Sequence, residues 1–425
     1  MRLDMEEKET DKTLTDICRD AKAAASAISL LNPIKKKSLL LTAASALERD
    51  RDLIIRENQS DMERAEANNM PDGLKDRLYL DEKRIKSMAD GLREVADLPD
   101  PVGEVIDTII RPNGLKIEQV RVPIGVIGVI YEARPNVTAD VFGLCMKTGN
   151  AVILKGGSAA ANSNKAIIES LKKALKKEDL PEGAAGLITD NRHEITRQFM
   201  TMRDYVDLLI PRGGAGLIKS VVENSTIPVI ETGTGNCHVY VDNPCDMDMA
   251  LDIIENAKTQ RIGVCNACES LVINRSIEKE FLPLLSKRLS PYHVELRCDS
   301  DAGKYLDDAA KATDEDFGRE YLDYILSVKS VDNVDEAISH INKYNTGHSE
   351  TIVTTDYNHA EKFLNLVDSA CVYVNASTRF TDGHEFGFGA EIGISTQKIH
   401  ARGPMGLKAL TSTKYKIYGN GQIRK

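Results

Sequence analysis

The segment with the most chemical potential is Arg261-Ile-Gly-Val-Cys-Asn-Ala-Cys-Glu-Ser270. Cys265 lies among small residues in a turn that leads into an apolar run. A nucleophilic thiol needs that kind of access and a lowered pKa. The competing reading is a buried, inert cysteine. Cys268, three positions on, is either a partner or a decoy. The gap also fits half a zinc site, but no second Cys-x-x-Cys and no paired histidines accompany it, so no metal is expected.

Other segments place polar groups where strands turn into helices. In Ile230-Glu-Thr-Gly-Thr-Gly-Asn236, Glu231 precedes two glycines, which let a backbone approach a ligand. It could orient a ribose, activate water or cap a turn. Ala151-Val-Ile-Leu-Lys-Gly-Gly-Ser158 ends an apolar strand with Lys155 and Ser158, which suits phosphate or ribose at a helix start. The alternative is a plain turn with an exposed lysine. Gly213 and Gly214, in Pro211-Arg-Gly-Gly-Ala-Gly216, could lie against a pyrophosphate or serve only a tight turn. No phosphate-loop motif occurs.

Two more loops carry charge. Tyr131-Glu-Ala-Arg-Pro-Asn136 offers Arg134 to an anion and the Asn136 amide to an oxyanion, unless Asn136 is merely a helix cap. Asn375–Ala390 holds Arg379, Asp382 and His384, both signs of charge, which suits an amino-acid-like substrate. Arg402 is a further cation that could hold phosphate or a neighbouring carboxylate.

These groups need a scaffold. The first hundred residues read as helices, with Leu40, Ala43, Leu47 and Ile54 at helical spacing after Pro33. Val105–Ile110 and Leu115–Val120 flank Arg111-Pro-Asn-Gly114, a hairpin signature. Apolar runs then alternate with helical stretches. The first set is Ile124–Tyr131, Ala151–Leu154, Gly186–Ile188, Asp207–Ile210, Ile227–Ile230 and His238–Val241. A second is Ser270–Asn274, Tyr292–Leu296, Tyr324–Val328, Glu350–Val353 and Cys371–Val374. Such alternation predicts an α/β fold with parallel sheets. Gly383–Ser395 reads as a glycine-rich loop and Lys414–Tyr418 as a last edge strand.

Composition narrows the class. The 425 residues suggest two domains. A net charge of −10 argues against nucleic acid. The apolar stretch Val122–Tyr131 is about half a membrane span, so no membrane is expected. The charged start, Met1–Glu9, lacks an apolar signal core, and the eight scattered cysteines read as reduced thiols. A cytoplasmic enzyme is expected.

Taken together, these segments resemble the aldehyde dehydrogenase superfamily. Glu231-Thr-Gly followed by Cys265 is similar to its glutamate–cysteine pair, and Gly149-Asn-Ala-Val-Ile-Leu-Lys155 to its cofactor strand. Tyr131–Asp140, Pro211–Gly214, Gly263–Ala267, Asn375–Phe380 and Gly389–Met405 narrow the match to the branch that reduces L-glutamyl 5-phosphate. The resemblance implies a Rossmann-type cofactor-binding domain (1–104 and 124–240) and an α/β catalytic domain (241–403). It also implies a small β-arm for oligomerisation (105–123 and 404–425).

The resemblance further implies residue roles. Cys265, Asn136 and Glu231 would be catalytic. Lys155, Ser158, Gly213, Gly214 and Glu320 would hold the cofactor, and Arg134, Arg379, Asp382 and Arg402 the substrate. Many NAD-using relatives carry a glutamate where this chain has Ser158. Its loss removes repulsion against a 2′-phosphate and favours NADPH. The implied partners are L-glutamyl 5-phosphate, further copies of the chain and a separate glutamate 5-kinase. Two rival readings are a hydrolytic NAD(P)-dependent aldehyde dehydrogenase and a catalytically silent scaffold.

Overall fold

The computed structural model describes residues 12–424. The charged start Met1–Glu9 and the final residue of the expected arm, Lys425, lie outside them.

The helical beginning has local causes. Helix α1 (Leu14–Ser29) starts at a capping box: the Thr13 hydroxyl accepts the Asp16 N–H, and the Asp16 carboxylate reaches back to Thr13. Helix α2 (Pro33–Arg49) has Asn32 as its cap and Pro33 at its first position. Helices α3 (Arg51–Ala67), α4 (Asp72–Leu78) and α5 (Glu82–Asp97) follow.

A hairpin comes next, β1 (Val105–Ile110) and β2 (Lys116–Pro123), turning at Gly114 with φ +89. The chain then alternates: β3 (Val126–Tyr131), α6 (Asn136–Lys147), β4 (Ala151–Gly156), α7 (Ala161–Lys177), β5 (Ala185–Leu187), α8 (His193–Phe199), β6 (Leu208–Arg212) and α9 (Ala215–Asn224). The four strands form a parallel sheet in the order β5-β4-β3-β6. Every residue of β3 and β4 is buried, which is why both read as continuous apolar runs.

The Gly149-Asn150 pair proves to be a structural lock. Gly149 has φ +75, and a Cβ there would come within 2.9 Å of Pro123. Asn150 accepts the Gly125 N–H at 2.9 Å and donates to the Leu410 carbonyl at 2.8 Å. It ties the starts of β3 and β4 to the C-terminal segment.

The second series is β7 (Cys237–Val241), α10 (Met247–Thr259), β8 (Cys268–Asn274), α11 (Glu278–Leu289), β9 (Glu295–Cys298), β10 (Ala310–Lys311), β11 (Ile325–Val331), α12 (Val334–Tyr344), β12 (Ser349–Val353), α13 (Tyr357–Leu366) and β13 (Cys371–Val374). They build a seven-stranded parallel sheet in the order β10-β9-β11-β8-β7-β12-β13. Alternate residues feed two cores. Val239, Leu271 and Val328 pack with α10 and α11, whereas Tyr240, Val272 and Ile352 pack with α12 and α13. Short strands β14 (Ile394–Ser395) and β15 (Gly403–Pro404) pair in the last loop. Strand β16 (Thr411–Tyr418) adds to β2, completing an antiparallel three-stranded sheet.

Two expected strands change. Ile227–Ile230 makes only one bridge, Leu209 to Val229, because Pro228 has no N–H to donate. The strand expected at Tyr292–Leu296 begins at Glu295, since Tyr292 lies in a tight turn and His293 adopts φ +53.

The chain forms two compact units. One comprises the chain up to Gly213, Lys219–Val229 and everything from Leu407; the other comprises Gly214–Ile218 and Ile230–Gly406. Strand Cys237–Val241 pairs with β8 and β12 in the second. Among the described residues, no helix is long and apolar enough to cross a membrane.

Candidate active site

The second unit holds the thiol turn. Cys265 is half-buried between α10 and β8. Cys268, already inside β8, is fully buried and bonds the Ser270 carbonyl, and burial pushes its thiol up to about 12. Burial also raises the thiols of Cys18, Cys237 and Cys298. Cys245, the other half-buried thiol, is pushed up to about 11 by burial and by Asp242.

The backbone around Cys265 is held from below. Its carbonyl accepts a hydrogen bond from the Cys237 thiol at 3.2 Å. Gly235 presses against the same carbonyl so closely that a Cβ would fall 1.4 Å from the oxygen. The Gly235 N–H donates to Glu320 at 2.8 Å, and Asn236 donates to the carbonyls of Phe317 and Tyr344. The Glu231–Asn236 segment therefore joins the Cys265 turn to Glu320. Glu231 is half-buried and accepts from the Gln397 side-chain amide at 3.1 Å.

The loop after β13 folds onto the thiol turn. Asn266, next to Cys265, donates to the carbonyls of Arg379 and Thr381 and accepts from the Arg379 guanidinium. Arg379 also donates to Gln260 at 2.9 Å. Burial and the neighbouring Arg261 lower its pKa, while Asp382 and Cys265 lie within electrostatic reach and oppose that shift. Arg379, Asp382 and Cys265 are thus brought together. Arg402 is not brought to them; with Lys398 it pairs with Asp368.

Sequence reasoning missed several groups. Asn266 and Gln397 lie inside segments that drew attention, but their partners are 113 and 166 positions away. Lys258 and Glu269 form a fully buried pair at 2.6 Å. Burial pushes the Glu269 carboxyl up to about 7 against the pull of Lys258. Its other oxygen accepts the Leu322 N–H, two residues beyond Glu320. No local pattern announces that pair.

The first unit holds the remaining groups. Lys155 is buried near the end of β4 and donates to the Gly156 carbonyl and to Asn191, at 3.0 and 3.2 Å. Burial lowers its pKa, and Asp190 partly offsets this. Ser158 opens the short turn Ser158–Ala160 that leads into α7. Gly156, Gly157, Asn162 and Lys165 line a cavity of about 180 Å³ beside it. That space takes part of a ligand rather than a whole dinucleotide. Gly213 and Gly214 are exposed before α9, whose first turn is bonded to the Gly214 carbonyl.

Pro135 precedes α6, and Asn136 is its exposed first residue rather than its cap. The Asn136 amide donates to Asp140 at 2.9 Å. Burial pushes the Asp140 carboxyl up to about 6, against the hydrogen bond from Asn136 and the charge of Arg212. Arg134 lies half-buried in the loop before α6.

The profile of the aldehyde dehydrogenase family matches residues 5–316 and 308–415. The chain belongs to the aldehyde dehydrogenase family. Among family members it is 60% identical over 414 residues to the gamma-glutamyl phosphate reductase of Agathobacter rectalis, covering 97% of this chain and 99% of that one. The enzyme of the same name from Clostridium botulinum is 57% identical over 404 residues, or 95% and 98%. The crystal structure of the gamma-glutamyl phosphate reductase of Thermotoga maritima superimposes with a TM-score of 0.95 at 46% identity, over 97% of this chain and all of that one.

Proposed function

We propose that this chain reduces L-glutamyl 5-phosphate with NADPH to L-glutamate 5-semialdehyde and inorganic phosphate. That is the second step of proline biosynthesis from glutamate. The observation that carries the reading is near-full-length similarity, at 60% identity, to a protein of that named activity.

Cys265 is assigned as the nucleophile. Its thiolate adds to the acyl carbon, and the carbon–oxygen bond to phosphate breaks with its electron pair leaving on phosphate. The Cys265 backbone N–H and the Asn136 amide steady the tetrahedral oxyanion. Asn136 keeps a second N–H after donating one to Asp140. Phosphate is a good leaving group, so no strong general acid is required. When bound, NADPH would supply the hydride that reduces the resulting thioester. The thiohemiacetal alkoxide on Cys265 then expels the thiolate and releases the aldehyde.

The cofactor assignments fit the chemistry present. Lys155 and Ser158, beside the cavity, would hold the adenosine end, Gly213 and Gly214 the pyrophosphate, and Glu320 the nicotinamide ribose. Arg379 and Asp382 offer opposite charges to an amino-acid substrate. Arg134 and Arg402 are assigned to its anionic groups on charge alone. Glu231 orients the nicotinamide or tunes Cys265, since no hydrolytic water is needed. The roles of the cofactor-binding and catalytic domains, the β-arm as an oligomer contact, a separate glutamate 5-kinase as neighbour and a cytoplasmic location belong to the same proposal.

Without NADPH, the acyl phosphate should release one phosphate per chain and leave a glutamyl group on Cys265, read by mass spectrometry. Cys265→Ser should give neither. A full phosphate burst from that variant would move the nucleophile. Glu231, positioned by Gln397, supports a second reading as a hydrolytic aldehyde dehydrogenase, which independence from phosphate would favour.

A further inference from the structure

The turn after β4 receives a cation from outside its own sheet. Arg64, on α3, donates from Nη1 to the Ser158 carbonyl at 3.3 Å and from Nη2 to Asp61 at 3.0 Å. Asp61 is fully buried and accepts the N–H groups of Asn162 and Ser163 and the Ser163 hydroxyl, at 3.3, 2.8 and 2.6 Å. It latches α3 to the first turn of α7 and fixes the guanidinium in place. The Arg64 side chain is nonetheless 44% exposed.

Arg64 is ion-paired with Asp61 through Nη2, while its Nη1 meets only the Ser158 carbonyl. Its bond to Ser158 is long, and the acceptor is neutral. A phosphate oxygen is a stronger, shorter acceptor and takes two guanidinium N–H groups at once. Lys155 suits that role less, because it is buried, lowered in pKa, and already donating to Gly156 and Asn191. Ser158 contributes a hydroxyl and no charge that would repel a dianion.

We propose that Arg64 is the specificity-determining residue that recognises the 2′-phosphate on the adenosine ribose of the cofactor, with the Ser158 hydroxyl beside it. The inference rests on the NADPH reading above and names the group that enforces it.

Calorimetry with adenosine 2′,5′-bisphosphate and with AMP tests this without catalysis, because the two differ only in the 2′-phosphate. The wild-type chain should prefer the bisphosphate. Arg64→Ala should weaken bisphosphate binding about ten- to a hundredfold, as expected for lost hydrogen bonds to a charged group, and leave AMP unchanged. Arg64→Lys should keep part of the preference. Equal losses for both ligands in Arg64→Ala would mean that the residue only braces α3 against α7, and would overturn the assignment. A preference that survives Arg64→Ala would overturn it while leaving the NADPH reading intact. No preference in the wild-type chain would overturn both.

Discussion

At the scale of single residues, reactivity follows from access. Six of the eight cysteines are buried, and Cys245 is held up by burial and acidic neighbours. Iodoacetamide at pH 8 should therefore modify Cys265 first, with loss of activity in step with that single modification. Preferential labelling of Cys268 or Cys245, mapped by peptide mass spectrometry, would contradict this. Asp140 gives a pH prediction. Its folded pKa, about 6, lies above the ordinary 3.8, so its contribution to stability is present at low pH and lost as pH rises through 6. Asp140→Asn removes that titration and should raise Tm relative to the wild type at pH 8 more than at pH 4.5. A difference independent of pH would contradict the assignment. Small neighbours and a following apolar run made Cys265 legible in the sequence. Asn266 was not, because its work depends on Arg379 and Thr381, more than a hundred positions away.

Elements position these residues through backbone approach and buried pairs. Gly235→Ala would drive a Cβ into the Cys265 carbonyl, which as backbone cannot turn aside. We expect about 1–3 kcal/mol of lost stability, the usual cost of overpacking, and at least a tenfold lower kcat by about the same logic of misplacement. Unchanged kcat in a folded variant would show that the glycine serves only the turn. Glu269→Gln would strand the Lys258 charge in the core and should cost about 3–5 kcal/mol in denaturant unfolding. The double change Lys258→Met with Glu269→Leu should recover most of it. The alternating strands and helices were legible because buried parallel strands are continuously apolar. Pro228 spoiled one of them, since a lost N–H matters more to a ladder than an apolar pattern does.

At the scale of the whole molecule, a three-stranded sheet presents Ile106, Ile109 and Ile110 on β1 and Tyr415, Ile417 and Tyr418 on β16 to solvent. Exposed apolar side chains in one sheet are the mark of an interaction surface, in keeping with the proposed oligomer contact. Ile110→Asp with Ile417→Asp should shift sedimentation toward the monomer, and an unchanged sedimentation coefficient would place the contact elsewhere. The hairpin was legible from its turn and Lys414–Tyr418 as a strand, but their pairing across almost three hundred positions came from the resemblance and not from any local pattern. In the proposed reaction phosphate, not water, exchanges with the acyl group on Cys265. The most direct measurement is the reverse reaction, with glutamate 5-semialdehyde and NADP supplied and NADPH followed by absorbance, with and without inorganic phosphate. Reduction of NADP only when phosphate is present is the predicted result. Equal reduction without phosphate would mean that water resolves the thioester, and that the chain is a hydrolytic aldehyde dehydrogenase with Glu231 as its base.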